Sequence, residues 1–248
     1  MTTAEILILI VIFLFGGIIK GTIGIALPTY LLGFMTMYYE PRTAVAMILF
    51  VIMSTNMRQA FVGDNMWKII KRLKYYCVFA SIGIFFVALV GAKVPVTVIL
   101  SCVGIAIAVF SLTSLFANIP KLNNKFDIPA QIVAGIGSGI LGGLTAIWGP
   151  PLAIYLMSIR MDKPQFVQSL GVMFSIQSLF LAAGFWASGE LTRSVVIIGV
   201  ALMAPTFVGV YIGEKIRDRM DTTQFTRVFL WVFILMGLNL IRRGIWAG

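Results

Sequence analysis

Apolar runs of about twenty residues, nearly free of charge, recur along the whole chain, and each is long enough to cross the ~30 Å hydrocarbon layer at ~1.5 Å per residue. Eight such segments are read, at 5–38, 41–63, 70–92, 95–117, 128–158, 164–188, 192–214 and 223–241. A transmembrane barrel would show short alternating stretches instead, so an all-α polytopic membrane protein is expected. Composition agrees: of 248 residues 60% are apolar and 11% charged, against ~45–50% and ~25% in soluble domains.

Lys and Arg total 19 against 9 acids, a net charge of +10. In a soluble chain this excess suggests nucleic acid; here basic loops facing the cytoplasm and its anionic lipids explain it first, and no nucleic-acid partner is expected. The chain has no His, which removes the commonest metal ligand and general base. The acids (Glu5, Glu40, Asp64, Asp127, Asp162, Glu190, Glu214, Asp218, Asp221) all lie at or beyond the ends of apolar runs. An intramembrane aspartyl pair, a zinc protease and a Ser-His pair therefore lack parts. No enzymatic activity, metal or cofactor is expected. Cys77 and Cys102 sit in apolar runs and read as small hydrophobes. Residues 1–5 carry no basic residue, so the first segment reads as a retained helix rather than a signal peptide.

The first and fifth segments, 34 and 31 residues long, are too long for one upright helix, and both are interrupted by glycine and proline. Each is followed by three segments of ordinary length. Gly17, Gly21 and Pro28 recur 122 positions later as Gly139, Gly143 and Pro150, and the 13-residue spacing from Pro28 to Pro41 matches that from Pro151 to Pro164. An internal duplication is expected, with pseudo-repeats 1–120 and 126–248 forming one transport-type domain over 1–248. Eight plain crossings would split the loop basic residues nine to eight. If each long segment enters and returns, the split is twelve to five, which the positive-inside rule prefers. The halves are then inverted, a recurring plan of secondary transporters. The cost of this topology is that it places Arg242 and Arg243 outside.

The interruptions read KGTIGIALP (20–28) and GGLTAIWGPP (142–151). Glycine lets the backbone leave helical geometry, and proline suits the first turn of a new helix. Half-helices beginning near Pro28 and near Pro150 would present free N–H groups and the positive dipole end inside the protein, an anion site made from backbone. The candidate substrate-binding residues are Lys20, Gly21, Thr22, Gly24, Pro28, Asn56, Gly142, Gly143, Thr145, Trp148, Gly149, Pro150 and Gln177. Thr22 and Thr145 add hydroxyls and Trp148 a wall. Lys20 is a cation fifteen residues into an apolar run, which an anionic substrate would neutralise.

Plainer readings stand beside these. GxxxG-like glycines let helices pack closely, and Lys20 is also placed to snorkel to the interface. Arg58, near Asp64 and a basic loop, reads as structural. Asn56, Ser54, Gln177 and Ser175 suit interhelical hydrogen bonds as well as ligand contact, and Ser54 and Gln177 are placed to face one another across the pseudo-twofold. The mixed-charge stretch 213–223 reads as a solvated cytoplasmic turn.

The tract 16–28, Pro41 with the Ala-rich start 42–46, the second copy at 137–151, and APTFVGVYIGEKIRDRM (204–220, with Gly209 and Gly213) together resemble the TauE/SafE sulfite exporter family of membrane permeases. The resemblance covers nearly the whole chain. Members often carry a fuller glycine cluster before the first proline, where this chain reads GIALP. The resemblance implies a multi-pass inner-membrane permease of a bacterium or archaeon for small anions, typically sulfite, sulfonates or related organosulfur compounds. The expectation is thus a secondary transporter for a small anion working by alternating access. A channel-like anion pore and a non-transporting membrane scaffold are the alternatives.

Overall fold

The computed structural model describes residues 3–23, 26–61, 66–116, 120–217, 219 and 222–246. These are helical throughout, with no strand among the described residues. The helices are α1 (Thr3–Ile23), α2 (Leu27–Met35), α3 (Pro41–Ala60), α4 (Met66–Arg72), α5 (Lys74–Val90), α6 (Val96–Phe116), α7 (Asp127–Thr145), α8 (Gly149–Ser158), α9 (Lys163–Ala187), α10 (Arg193–Ala201), α11 (Met203–Arg217) and α12 (Thr222–Trp246).

Six stretches among the described residues are long and apolar enough to cross a membrane: α1, α5, α6, α7, α9 and the run of α10 with α11. The chain is a multi-pass membrane protein. Of the eight segments read from sequence, the second and eighth, α3 and α12, are not among these six. In α3 the reason is visible. It carries Arg42, Ser54, Thr55, Asn56 and Arg58, while Ala44–Leu49, Val51 and Ile52 are buried. A helix shielded from lipid by its neighbours needs less apolar surface than one facing hydrocarbon.

Both over-long segments divide as hairpins. Helix α2 has 9 residues and α8 has 10, a rise of only about 14–15 Å. Helix α2 turns back along α1, bringing Leu27, Tyr30 and Leu31 against Gly16. At its far end Tyr39 lies close enough to Glu5 that burial, and then the carboxylate's charge, push the phenol up from its ordinary pKa. The chain therefore starts α1 and α3 at one end of the bundle, called here the Glu5 end.

Contacts then fix the direction of the other helices. Lys20 meets Asn56, so α1 and α3 run together toward the opposite end. Gly91, just after α5, sits against Arg42, so α5 returns. Arg72 grips Asp127 with two hydrogen bonds of 2.7 and 2.8 Å, starting α7 at the opposite end. Helix α9 also starts there, where Gln59 donates to the Val167 carbonyl, and finishes at the Glu5 end, where Arg42 pairs with Glu190. Thus α7 and α9 run against α1 and α3. Gly244 of α12 lies against Thr97 and Ser101 of α6, so these two are antiparallel neighbours. The most extensive packing pairs α1 with α11, α5 with α7 and α6 with α12.

The glycines of the repeat serve this packing. Gly17 faces Gly209 and Gly139 faces Gly83, each with an ideal Cβ position 3.0 Å from the partner's Cα. The close-packing reading of the GxxxG-like pairs therefore holds at these positions. The residues that turn the chain at the breaks are instead Ala26 (φ 80) and Ala146 (φ 55), both in the left-handed region. At those two positions alanine rather than glycine takes the left-handed conformation, at a local cost of ~1–2 kcal/mol. Gly24 lies outside the described residues.

Arg243, awkward for the hairpin topology, donates at 3.2 Å to the Thr36 carbonyl in the turn after α2. Its position at the Glu5 end has a local structural reason.

Candidate functional site

The two breaks meet. Ala26, Pro28 and Thr29 of the first and Ala146, Ile147, Trp148, Gly149, Pro150 and Ala153 of the second line one cavity, closed over by Phe110 of α6 and by Leu170 and Phe174 of α9. Its volume is about 30 Å³, room for a water or two at most. Trp148 is buried and stacks edge-on against Phe174 at 5.9 Å. Gly142 is a site for that indole, since a Cβ there would stand 2.9 Å from it.

Proline sits in the first turn of both half-helices. Because proline lacks an N–H, the donors that α2 and α8 cannot use internally reduce to Ala26, Leu27 and Thr29 and to Trp148 and Gly149. Neither half-helix has a side-chain cap. These N–H groups and the dipole ends behind them favour negative charge at the cavity.

The second break is tied down by its own side chains. Thr145 donates to the Leu141 carbonyl at 2.6 Å and accepts from the Ile147 N–H at 3.1 Å. Ser138 donates to the Trp148 carbonyl at 2.8 Å, Tyr76 donates to Ser138 at 3.0 Å, and the Gln177 amide donates to Tyr76 at 2.8 Å. All four of these polar residues are buried. Such a chain fixes the Trp148 backbone, since each group loses its partner if the break moves.

The first break is different. Lys20, one turn before it, is 7% exposed and donates to Asn56 Oδ1 at 2.6 Å. No carboxylate lies within 4 Å of its ammonium among the described residues. Asn56 is 2% exposed, and its Nδ2 has no partner among the described residues. Lys20 and Gly21 form the floor of a vestibule of about 160 Å³ whose walls include Thr55, Arg58, Gln59, Glu214 and Arg217. Arg58 is paired with Glu214 at 2.8 Å, the structural role expected of it. The snorkelling reading of Lys20 does not hold, because its head is buried against Asn56.

The candidates therefore fall into separate groups. Pro28, Trp148, Gly149 and Pro150 line the central cavity, while Lys20 and Gly21 line the vestibule and Asn56 holds the Lys20 ammonium without lining it. Gly21 and Gly143 also lie against α11 and Val87. The Thr22 hydroxyl donates to the Ile18 and Gly213 carbonyls and the Thr145 hydroxyl to Leu141, so neither is a free donor here. Gln177 belongs to the network behind Trp148. Ser54 donates to Val51 in its own helix, and no hydrogen bond joins it to Gln177. Sequence reading missed Thr29, Tyr76, Ser138 and Phe174. Thr29, beside Pro28 in the first turn, was the one with a signal.

Two half-helices meeting N-terminus to N-terminus inside a multi-pass bundle are a recurring feature of membrane transporters. The chain belongs to the sulfite exporter TauE/SafE family, whose description matches residues 8–240. It is a membrane transporter. No curated protein and no solved structure matches it.

Proposed function

We propose that the protein carries a small oxyanion across the inner membrane of a bacterium or archaeon by alternating access, with sulfur oxyanions such as sulfite favoured by its membership of a sulfite exporter family. The observation that carries this reading is the meeting of the two breaks at one small cavity. A carrier must occlude its substrate between two openings, and a constriction to about 30 Å³ where the breaks meet supports a carrier over a wide continuous pore.

The chain is one transport domain of two inverted repeats, and several observations support this. Helices α7 and α9 run against α1 and α3, the α1–α11 and α5–α7 contacts exchange the halves, and a left-handed alanine precedes each half-helix. The Glu5 end, with five loop basic residues against twelve at the opposite end, faces outward and the vestibule faces the cytoplasm. The Arg42–Glu190 pair, linking the start of α3 to the loop after α9, closes the outer end. Rocking of the halves would exchange this closure for one at the vestibule.

Purified protein in proteoliposomes, challenged with sulfite, sulfate, thiosulfate, taurine and sulfoacetate, is expected to give saturable flux for at least one. Flux of a cation alone, or none for any anion, contradicts the proposal. Non-saturating flux with a linear current–concentration relation favours the channel.

A further inference from the structure

The Arg42–Glu190 pair at the Glu5 end is only half made. Arg42 Nε donates to Glu190 Oε1, Nη2 donates to the Ala88 carbonyl at 2.8 Å, and the guanidinium lies over the Phe185 ring at 4.6 Å. Arg42 Nη1 and the second carboxylate oxygen, Glu190 Oε2, are buried and have no partner among the described residues. Arginine can give a carboxylate two parallel bonds, and the pair at the opposite end uses both: Arg72 holds the two oxygens of Asp127, which also accept from Gln131 and Tyr155. At the Glu5 end a buried donor and a buried acceptor each forgo a bond, which is costly.

The unused donor borders the second break. A Cβ on Gly91 would collide with Arg42 Nη1, and the same Cβ would stand 3.5 Å from Leu144, two residues before the left-handed Ala146. Glu190 comes from the short turn after α9. The residue before it, Gly189, has a φ of 78° and open space around it, so this turn can yield while Ala88 and Phe185 keep the guanidinium in place.

We infer that Arg42 is an oxyanion-binding residue of the outer opening, and that Glu190 is a built-in surrogate for the oxyanion, seated on the same guanidinium. A carboxylate and a small oxyanion offer the same kind of acceptor, and arginine keeps its charge at any working pH. When the outer end opens, Glu190 turns to solvent and the oxyanion accepts from Arg42, Nη1 included. Outer closure and oxyanion binding at Arg42 are then mutually exclusive. This deepens the anion-carrier reading above and rests on it.

The test is equilibrium binding of radiolabelled sulfate and thiosulfate to the purified protein in phosphatidylcholine nanodiscs. Glu190→Gln, which keeps the shape and removes the competing charge, is expected to tighten binding of at least one probe threefold or more. Arg42→Gln is expected to weaken it at least tenfold, and Arg42→Lys, which keeps the charge and loses the fork, at least threefold; size exclusion confirms that the variants fold. A pair that serves only as a gate would make Glu190→Gln and Arg42→Gln act in the same direction, and that result overturns the inference. So do wild-type affinity in Arg42→Lys, which leaves only a general field effect, and binding of neither probe. Weaker binding in Glu190→Gln overturns it even if Arg42→Gln does not fold. Lipid phosphates offer the same acceptor chemistry, so binding is repeated in phosphatidylglycerol nanodiscs at a salt concentration that screens the membrane charge. A free oxyanion keeps its affinity there, and a loss overturns the inference in favour of a lipid headgroup. Anion flux on which Glu190→Gln and Arg42→Gln act alike sinks this inference alone, whereas absence of any anion flux sinks the carrier reading.

Discussion

The two breaks have the same shape and different contents. Each ends a long helix, turns through a left-handed alanine and starts a proline-bearing half-helix at the same cavity. Around the second, Gln177, Tyr76 and Ser138 form a hydrogen-bonded chain to the Trp148 carbonyl and Thr145 ties Leu141 to Ile147, with the Gln177 Oε1 left without a partner among the described residues. Before the first stands a buried lysine whose acceptor is an amide with an unused N–H₂. The side chains differ in kind: the second break is braced by neutral hydrogen bonds, and the first is left electrostatically incomplete, with a buried lysine and no carboxylate within 4 Å of it among the described residues. An incomplete site is where a ligand gains most, because the protein has already desolvated the groups that it needs.

The division can be attacked from either side. The largest effect is expected at the helix crossings, which differ between the halves. A Cβ on Gly17 would overlap the Thr206 carbonyl and Val210 N–H, whereas one on Gly139 meets Gly83 Cα at 3.0 Å. Gly17→Ala is thus expected to destabilise by about 3 kcal/mol or more, and Gly139→Ala by about 1 kcal/mol or less; thermal unfolding in detergent reads both. Equal losses would mean that the α1–α11 and α5–α7 crossings are equally tight.

Next come the polar groups. Tyr76→Phe strands Ser138 and the Gln177 amide and is expected to cost about 1–2 kcal/mol, while flux falls by no more than a few-fold. Lys20→Met removes a buried charge without a counter-ion, so thermal stability is expected to hold or rise while anion flux falls at least tenfold. The opposite pattern, in which Tyr76→Phe abolishes flux and Lys20→Met unfolds the protein, would reverse the roles of the two breaks. A smaller effect is expected for Ala26→Gly and Ala146→Gly. Each relieves a left-handed residue and loses some chain entropy, a net stabilisation of about 0.5–1 kcal/mol at either break. The smallest belongs to Ser54→Ala, whose hydroxyl bonds only its own helix in this structure; it should change stability by less than ~0.5 kcal/mol.

Much of the frame was legible in the sequence. The segments 41–63, 95–117 and 164–188 became Pro41–Ala60, Val96–Phe116 and Lys163–Ala187, and the two over-long segments divided where glycine and proline interrupt them. Helix length against bilayer thickness and the absence of an N–H in proline are strong local constraints. The breaks at Leu73, between α4 and α5, and at Leu202, between α10 and α11, were less visible; only Pro205 hints at the second.

The site was legible only in part, because a helix that is apolar all round does not say which face meets lipid. Tyr76 and Ser138 stand alone in apolar runs 62 residues apart, and Lys20 and Asn56 are 36 apart. Nothing local joins either pair. The threonines looked like ligand donors because a hydroxyl in an apolar run invites that reading, yet in a helix it finds the carbonyl four residues back.

The central claim is that substrate passes between the two breaks. Thr29 and Ala153 line the cavity from opposite breaks. In a background carrying Cys77→Ser and Cys102→Ala, the pair Thr29→Cys and Ala153→Cys is bridged by a short, reducible thiol cross-linker in proteoliposomes. Anion flux is expected to stop on cross-linking and to return on reduction, with either single cysteine unaffected. Undiminished flux through the fully cross-linked protein would contradict the account.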